Sequence, residues 1–164
     1  MQVADIKGFT GCVTKTVLAA GTTTTISTTA AITGAIRGKG VSVAALTNQA
    51  TPTTDVNTGA AFVGVKSGYG SVFVYGVNAA GTLKCAQGSV VALDSAYAFK
   101  DPYPQFPNLP DDFLPFGYLT IKAGSTADAT TGWVQGTSNQ ASVTGITYAR
   151  ADVMLGMPDR PQIS

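Results

Sequence analysis

All nine acidic residues of this chain are aspartate, and glutamate is absent. Glutamate sustains helices, whereas aspartate competes with the helical backbone and favours turns. Threonine, valine, alanine and glycine dominate the remainder, and arginine is confined to Arg37, Arg150 and Arg160. The residues that build solvated helical faces are therefore nearly missing, while β-branched residues suited to a pleated surface abound. The chain is predicted to be all-β.

The patterning agrees. After an extended arm over residues 1–10, a first strand is predicted over residues 12–19, CVTKTVLA. The threonine-rich stretch that follows carries Ile26, Ile32, Ile36, Val41 and Val43 at strand-like intervals. It predicts two or three short strands separated by Gly34 and a turn at Gly38-Lys39-Gly40, with disorder as the alternative for such a low-complexity run. The segment NQATPTTDVNTGA reads as loop, and AFVGVKSG and SVFVYGVNAAGTLKCAQGSVVAL as the clearest strand regions. In the latter, Val72, Val74 and Gly76 alternate with Phe73, Tyr75 and Val77, so both faces should be at least half covered. Asn78 to Gly81 suits a hairpin loop, with returning strands at 82–87 and 89–93. Residues 94–115 form one long irregular segment, with a helical turn expected over residues 108–113 capped by Asn108. Strands are expected again at 116–123, at Trp133-Val134 and within 141–155, before an extended tail spaced by Pro158 and Pro161. In the strand at 116–123, Phe116, Tyr118 and Thr120 should share one face, and Leu119 and Ile121 the other. Many short strands without a long amphipathic helix predict an antiparallel β-sandwich, jelly-roll-like in complexity. The organisation expected is an arm (1–10), one sandwich domain (11–155) and a second arm (156–164).

Charge narrows the function classes. Only 12% of the residues are charged, the net charge is +1, and mean hydropathy is +0.20. A phosphate backbone needs clustered Lys and Arg, so no nucleic-acid partner is expected. No apolar run approaches the ~18 residues of a membrane span, and no membrane partner is expected either. A surface so poor in charge is expected to be covered by a partner, including copies of itself. Histidine is absent, which excludes Ser-His-Asp and Cys-His catalysis and leaves the usual zinc sites without imidazole. Two cysteines, Cys12 and Cys85, are too few for a disulfide scaffold. They read as small apolar strand residues in a reducing compartment, with a single disulfide as the alternative. MQVADIKGFTG lacks the basic-then-apolar pattern of a secretory signal. No cofactor is implied.

One acidic pair, Asp111-Asp112, invites a catalytic reading as a glycan hydrolase. Adjacent carboxylates on an extended chain point to opposite sides and cannot form the facing pair that glycosidic cleavage needs. They are expected to face water or a neighbouring subunit. Tyr97, Phe99, Tyr103, Phe106, Phe113, Phe116 and Tyr118 are concentrated around this pair. They could cap one end of the core, anchor a subunit interface, or stack on sugar rings. GYGSVFVYG lacks the lysine and following helix of a phosphate loop. The segment FPNLPDDFLPFGYLTIKAG is read as a proline-stiffened corner that feeds a late core strand.

The stretch LPDDFLPFGYLTIKAGSTADATTGWVQGTSNQASVTGITYARADV, with TNQATPTTDVNTGAAF before it, resembles small structural proteins of tailed bacteriophages, the head decoration, cement or head-fibre proteins. The likeness lies in a strand with Pro115, Gly117, Tyr118, Ile121 and Lys122, a Gly/Thr/Ala-rich loop, and a last strand with Thr147, Asp152 and Val153 before a proline-bearing tail. It covers about the last two-thirds of the chain and is one of texture. It implies a virion protein on the outer surface of the phage head, assembled in the host cytoplasm. Its partners would be the major capsid protein and itself, as a homotrimer in preference to a dimer. It implies no catalytic residue. The alternative is a tail- or fibre-associated carbohydrate-binding module. Met1, Ile6, Phe9, Tyr103, Phe106, Phe113, Met157, Pro158, Arg160 and Pro161 are the expected interface residues.

Overall fold

In the computed structural model, which describes residues 8–161, every helix or strand element is a strand. In chain order these are β1 (Gly11–Cys12), β2 (Leu18–Ala20), β3 (Thr25–Thr28), β4 (Ile32–Ile36), β5 (Lys39–Val43), β6 (Gln49–Ala50), β7 (Tyr69–Val77), β8 (Leu83–Gln87), β9 (Val91–Ala92), β10 (Leu114–Ala123) and β11 (Ile146–Asp152). They form three antiparallel sheets, none of them closed. Two are small, β1-β4-β5 and β2-β3-β6; the largest runs β11-β10-β7-β8, with β9 also paired to β7. The all-β expectation is borne out.

The central pair β7 and β10 positions everything else, because both of its faces are buried. Phe73, Tyr75 and Val77 of β7 join Leu119 and Ile121 of β10 in a first core shared with Cys12, Leu18, Ile26, Ile32 and Ile36 of the small sheets. Val72 and Val74 face the other way, into a second core with Phe113, Tyr118 and Val153. Among the described residues no second sheet covers that core, to which the large sheet itself adds Ala151 of β11. It is packed by irregular chain, through Val56, Phe106, Leu109 and Met157. The period-2 alternation in SVFVYGV thus has the two-sided meaning expected of it.

Several expected boundaries move, each for a local reason. The run at 12–19 is not one strand: β1 pairs with β4 and β2 with β3, in different sheets. Between them, threonine hydroxyls replace the ladder. Thr16 Oγ1 donates to the Ala30 carbonyl (3.1 Å) and the Val17 amide donates to Thr29 Oγ1 (3.1 Å), the competition with regular pairing that threonine offers. Gly34 lies inside β4 rather than separating strands, and the turn falls one residue early, at Arg37-Gly38. Both turn residues have positive φ, 51° and 75°, as a two-residue hairpin matched to strand twist requires. AFVGVKSG forms no strand; it makes only isolated bridges, Thr54 to Ala61 and Val65 to Trp133. The Gln87 side chain instead serves Val63 as a strand neighbour would, accepting its N–H at 2.8 Å and donating to its carbonyl at 2.9 Å. Trp133-Val134 contributes a bridge and no strand.

No helical turn forms over residues 108–113. A single turn occurs there, closed by the Phe113 amide on the Pro110 carbonyl at 3.1 Å. Pro110 holds Leu109 away from helical geometry and lacks the donor a helix would use. In β10 the pairing register shifts between Pro115 and Gly117. The extra residue, Phe116, is thereby turned into the first core with Leu119 and Ile121, not onto the Tyr118 face as simple alternation predicts.

Cys12 and Cys85 are free and fully buried, on β1 and β8. Burial pushes both thiols above their ordinary range, Cys85 strongly, with the Asp55 carboxylate adding a smaller push. Burial does the same to the Tyr75 phenol, with Cys85 a lesser contribution. An acid whose pKa is raised by folding holds its proton in the native state after the unfolded chain has lost it. The contribution is complete below the unfolded pKa, about 8.5 for Cys and 10 for Tyr, and is lost as pH rises beyond it. With no histidine to titrate in between, stability in urea should be level through neutrality and fall above roughly pH 9. Native protein at pH 8 should resist alkylation at both thiols, and both should react once unfolded. Rapid native labelling at either would contradict this packing.

A cleft at the roots of both chain ends as the candidate functional site

The Arg37-Gly38 hairpin turn organises the site. The segment at Gly8–Thr10 lies against it: the Gly38 amide donates to the Phe9 carbonyl at 3.0 Å, and the Arg37 amide to Thr10 Oγ1 at 2.9 Å. Gly8 is required there, since a Cβ would stand 2.1 Å from the Arg37 carbonyl carbon. The other end of the chain returns to the same place. The Leu155 amide donates to the Cys12 carbonyl at 2.8 Å, and Met157 packs on the second core.

Between these two segments and the proline-rich corner lies a cleft of about 660 Å³. Its apolar wall is Leu109, Phe113, Pro115 and Met157, and its charged pair is Arg37 and Asp111. The Arg37 guanidinium donates to Asp111 Oδ2, and both side chains are mostly exposed. Such a pair contributes on the order of 0–1 kcal/mol to folding. A second cleft, of about 490 Å³, lies across the C-terminal segment, bordered by Tyr118, Arg150 and Pro158, with Gly156 lining both.

The expected interface residues scatter around this end and beyond it. Met1 and Ile6 lie outside the described residues. Phe9 is exposed beside Gly11. Phe113 is a buried core residue whose edge still lines the cleft, and Met157 is half-buried on its wall. Phe106 is half-buried and packs edge-on against Tyr118, ring centroids 5.1 Å apart. Tyr103 is half-buried and lines neither cleft. Pro158 and Arg160 are exposed, while Pro161 is buried. The tail over residues 156–161 is thus laid partly on its own domain, with bends at 155–156 and 159–160. Sequence reasoning missed the pairing of Arg37 with Asp111, which are 74 residues apart. No local signal joins them.

The aromatic concentration resolves mainly into core. Phe99, Phe113, Phe116 and Tyr118 are buried, and among the tyrosines considered for sugar stacking only Tyr97 is exposed. Asp111 and Asp112 both face solvent. Among the described residues, no group of three or more Cys, Asp, Glu or His side chains is placed to hold a metal ion, and no helix is long and apolar enough to cross a membrane.

A second cluster is largely internal. Tyr75 Oη donates to Gln135 Oε1 at 2.8 Å and lies 3.2 Å from Gln140 Oε1, and Gln140 Nε2 donates to Gln135 Oε1 at 3.2 Å. The Arg150 guanidinium donates to the Gln140 carbonyl and stacks over the Tyr148 ring at 5.4 Å. Burial holds the Arg150 pKa below its ordinary value. This network pins the loop over residues 133–145 to the large sheet. Tyr75, Gln135 and Gln140 are fully enclosed and read as structural, while Arg150 reaches the border of the second cleft.

No protein-family model matches this chain, and no curated protein or solved structure matches it either.

Proposed function

We propose that the chain is a structural protein of a tailed-bacteriophage head, decorating the capsid and stabilising it by bridging capsomers. The observation that carries the reading is the convergence of both terminal segments on one cleft-bearing face. Arms that leave from a common side can engage one neighbouring surface together. The low surface charge, the exposed Phe9, Met154 and Leu155 at that face, and the phage-like texture of residues 109–153 support it. On this reading the large sheet and the two small sheets are the layers of a jelly-roll-like sandwich, and the partners are the major capsid protein and further copies of this chain. Main-chain pairing of an arm along a neighbour's sheet edge would supply affinity, and each useful contact should bury at least ~1,000 Å².

The test is the copy number of this chain relative to the major capsid protein in purified virions, by quantitative mass spectrometry. A ratio near capsid stoichiometry is expected. A few copies per particle would move the protein to the tail or a fibre, and absence from virions would overturn the reading.

A further inference from the structure

We propose that the cleft between the Arg37-Gly38 turn and the proline-rich corner is a docking groove for the N-terminal segment, Met1 to Lys7, of a second copy of this chain. The inference rests on the reading of the protein as self-assembling and names the contact through which it does so.

Four observations converge. First, the groove is unfilled by the described residues and has the dimensions of a binding site: about 660 Å³, within the roughly 300–1,000 Å³ that ligand sites occupy. Second, its lining is mixed in a particular way. An apolar wall of Leu109, Phe113, Pro115 and Met157 stands beside one cation, Arg37, and one anion, Asp111. Third, the segment MQVADIK supplies the complement: Met1, Val3 and Ile6 for the wall, Asp5 for Arg37 and Lys7 for Asp111. Because Arg37 and Asp111 are mostly exposed, trading part of their mutual contact for the arm's charges costs little. Fourth, the segment ends where the groove begins, since Gly8 and Thr10 are themselves part of its lining. Seven residues reach at most about 25 Å, so two copies meeting at this face each place an arm within range of the other's groove.

The rim decides between the neighbour's arm and the chain's own. Phe9 and Leu155 both stand over Gly11, where a Cβ would meet Phe9 Cζ at 2.4 Å and the Leu155 carbonyl oxygen at 2.1 Å. Phe9, Met154 and Leu155 are 44–58% exposed. A chain's own arm folded into its own groove would leave these apolar residues in water. A second copy delivering its arm brings its own rim onto them and removes apolar surface on both sides. The contact is then reciprocal, groove to arm and rim to rim, and closes on itself as a symmetric assembly does.

The full-length chain tests this. A nitroxide is placed at Ala4 through Ala4→Cys, a position assigned no contact in the groove, and Cys12 and Cys85 are buried and should not compete for the label. Spin-labelled chain without isotope is mixed with unlabelled, nitrogen-15-enriched chain, and amide intensities are read with the nitroxide oxidised and then reduced. The expected result is a loss of intensity at Leu109, Asp111, Phe113 and Met157 in the mixture, recovered on reduction. Loss only when label and isotope share one molecule would mean the arm occupies its own groove, and would overturn the proposal. So would an unchanged groove in both samples, or a chain that sediments only as monomer at the concentrations used. None of these outcomes depends on virions, so a failed groove and a failed capsid assignment remain distinguishable.

Discussion

Trp133→Ala is expected to lower stability by about 3–5 kcal/mol, the range for removing a large buried aromatic. A domain of this kind has roughly 5–15 kcal/mol in total, so the variant should be near its folding limit. Trp133 is 1% exposed and belongs to no strand, yet it joins three regions. Its ring meets Phe73 edge-on at 5.3 Å and Tyr148 at 6.2 Å, and Phe73 in turn meets Phe62 at 5.9 Å. Its indole N–H donates to the Asn139 carbonyl at 3.0 Å, an oxygen that also accepts from the Tyr148 hydroxyl at 2.9 Å. Removing the ring opens a cavity between the large sheet and the loop over residues 133–145. Urea unfolding followed by circular dichroism should show the midpoint fall with an unchanged slope; fluorescence will not serve, because this is the only tryptophan. A loss under about 1 kcal/mol would mean the loop repacks and Trp133 is not the hub described.

The second large effect is expected at Asp55. Its carboxylate is buried and accepts three backbone N–H bonds: from Asn57 at 2.7 Å, Thr58 at 3.1 Å and Gln87 at 2.7 Å. Two of these shape its own loop, and the third ties that loop to the end of β8. Asp55→Ala should cost about 2–3 kcal/mol, since bonds to a charged acceptor are the strong ones and the Gln87 amide is left without its acceptor. Asp55→Asn separates the parts. Its oxygen can keep the loop bonds, but its NH2 then faces the Gln87 N–H, donor against donor. The Asn variant should therefore show faster hydrogen exchange at Gln87, with the Asn57 and Thr58 amides less affected. Equal exchange at Gln87 in the two proteins would show that Asp55 does not hold the loop to the sheet.

What the sequence disclosed depended on whether the decisive contact was local. The two-faced pattern of β7 and the hairpin at Asn78 are local. Asn78 closes its own loop, accepting from the Ala80 and Thr82 amides at 3.1 and 2.9 Å. The threonine-rich run forms strands because β-branching acts residue by residue. Phe116 departs from simple alternation because the pairing register shifts between Pro115 and Gly117. AFVGVKSG has a strand-like pattern, yet Val63 finds the Gln87 side chain in place of a strand. The candidate site was least legible. Its aromatic and methionine walls were among the expected interface residues, but its charged pair joins a hairpin turn to a proline corner. Only the folded sheet order brings those together.

The large sheet, buried on both faces by parts of the chain that lie on either side of it in sequence, also sets an order of events on the ribosome. The β7–β8 hairpin is made midway. Its first face can begin to pack on the small sheets already synthesised, and is completed by Leu119, Ile121 and Trp133. Its second face, Val72 and Val74, must wait for Phe106, Phe113, Tyr118, Val153 and Met157, all of them later in the sequence. Until then a valine-rich surface stands uncovered on every nascent chain, and β1 lacks the Leu155 amide that later binds its Cys12 carbonyl. Emergence of residues 153–157 from the ribosome, more than any earlier step, is the moment at which the second face of this sheet can close.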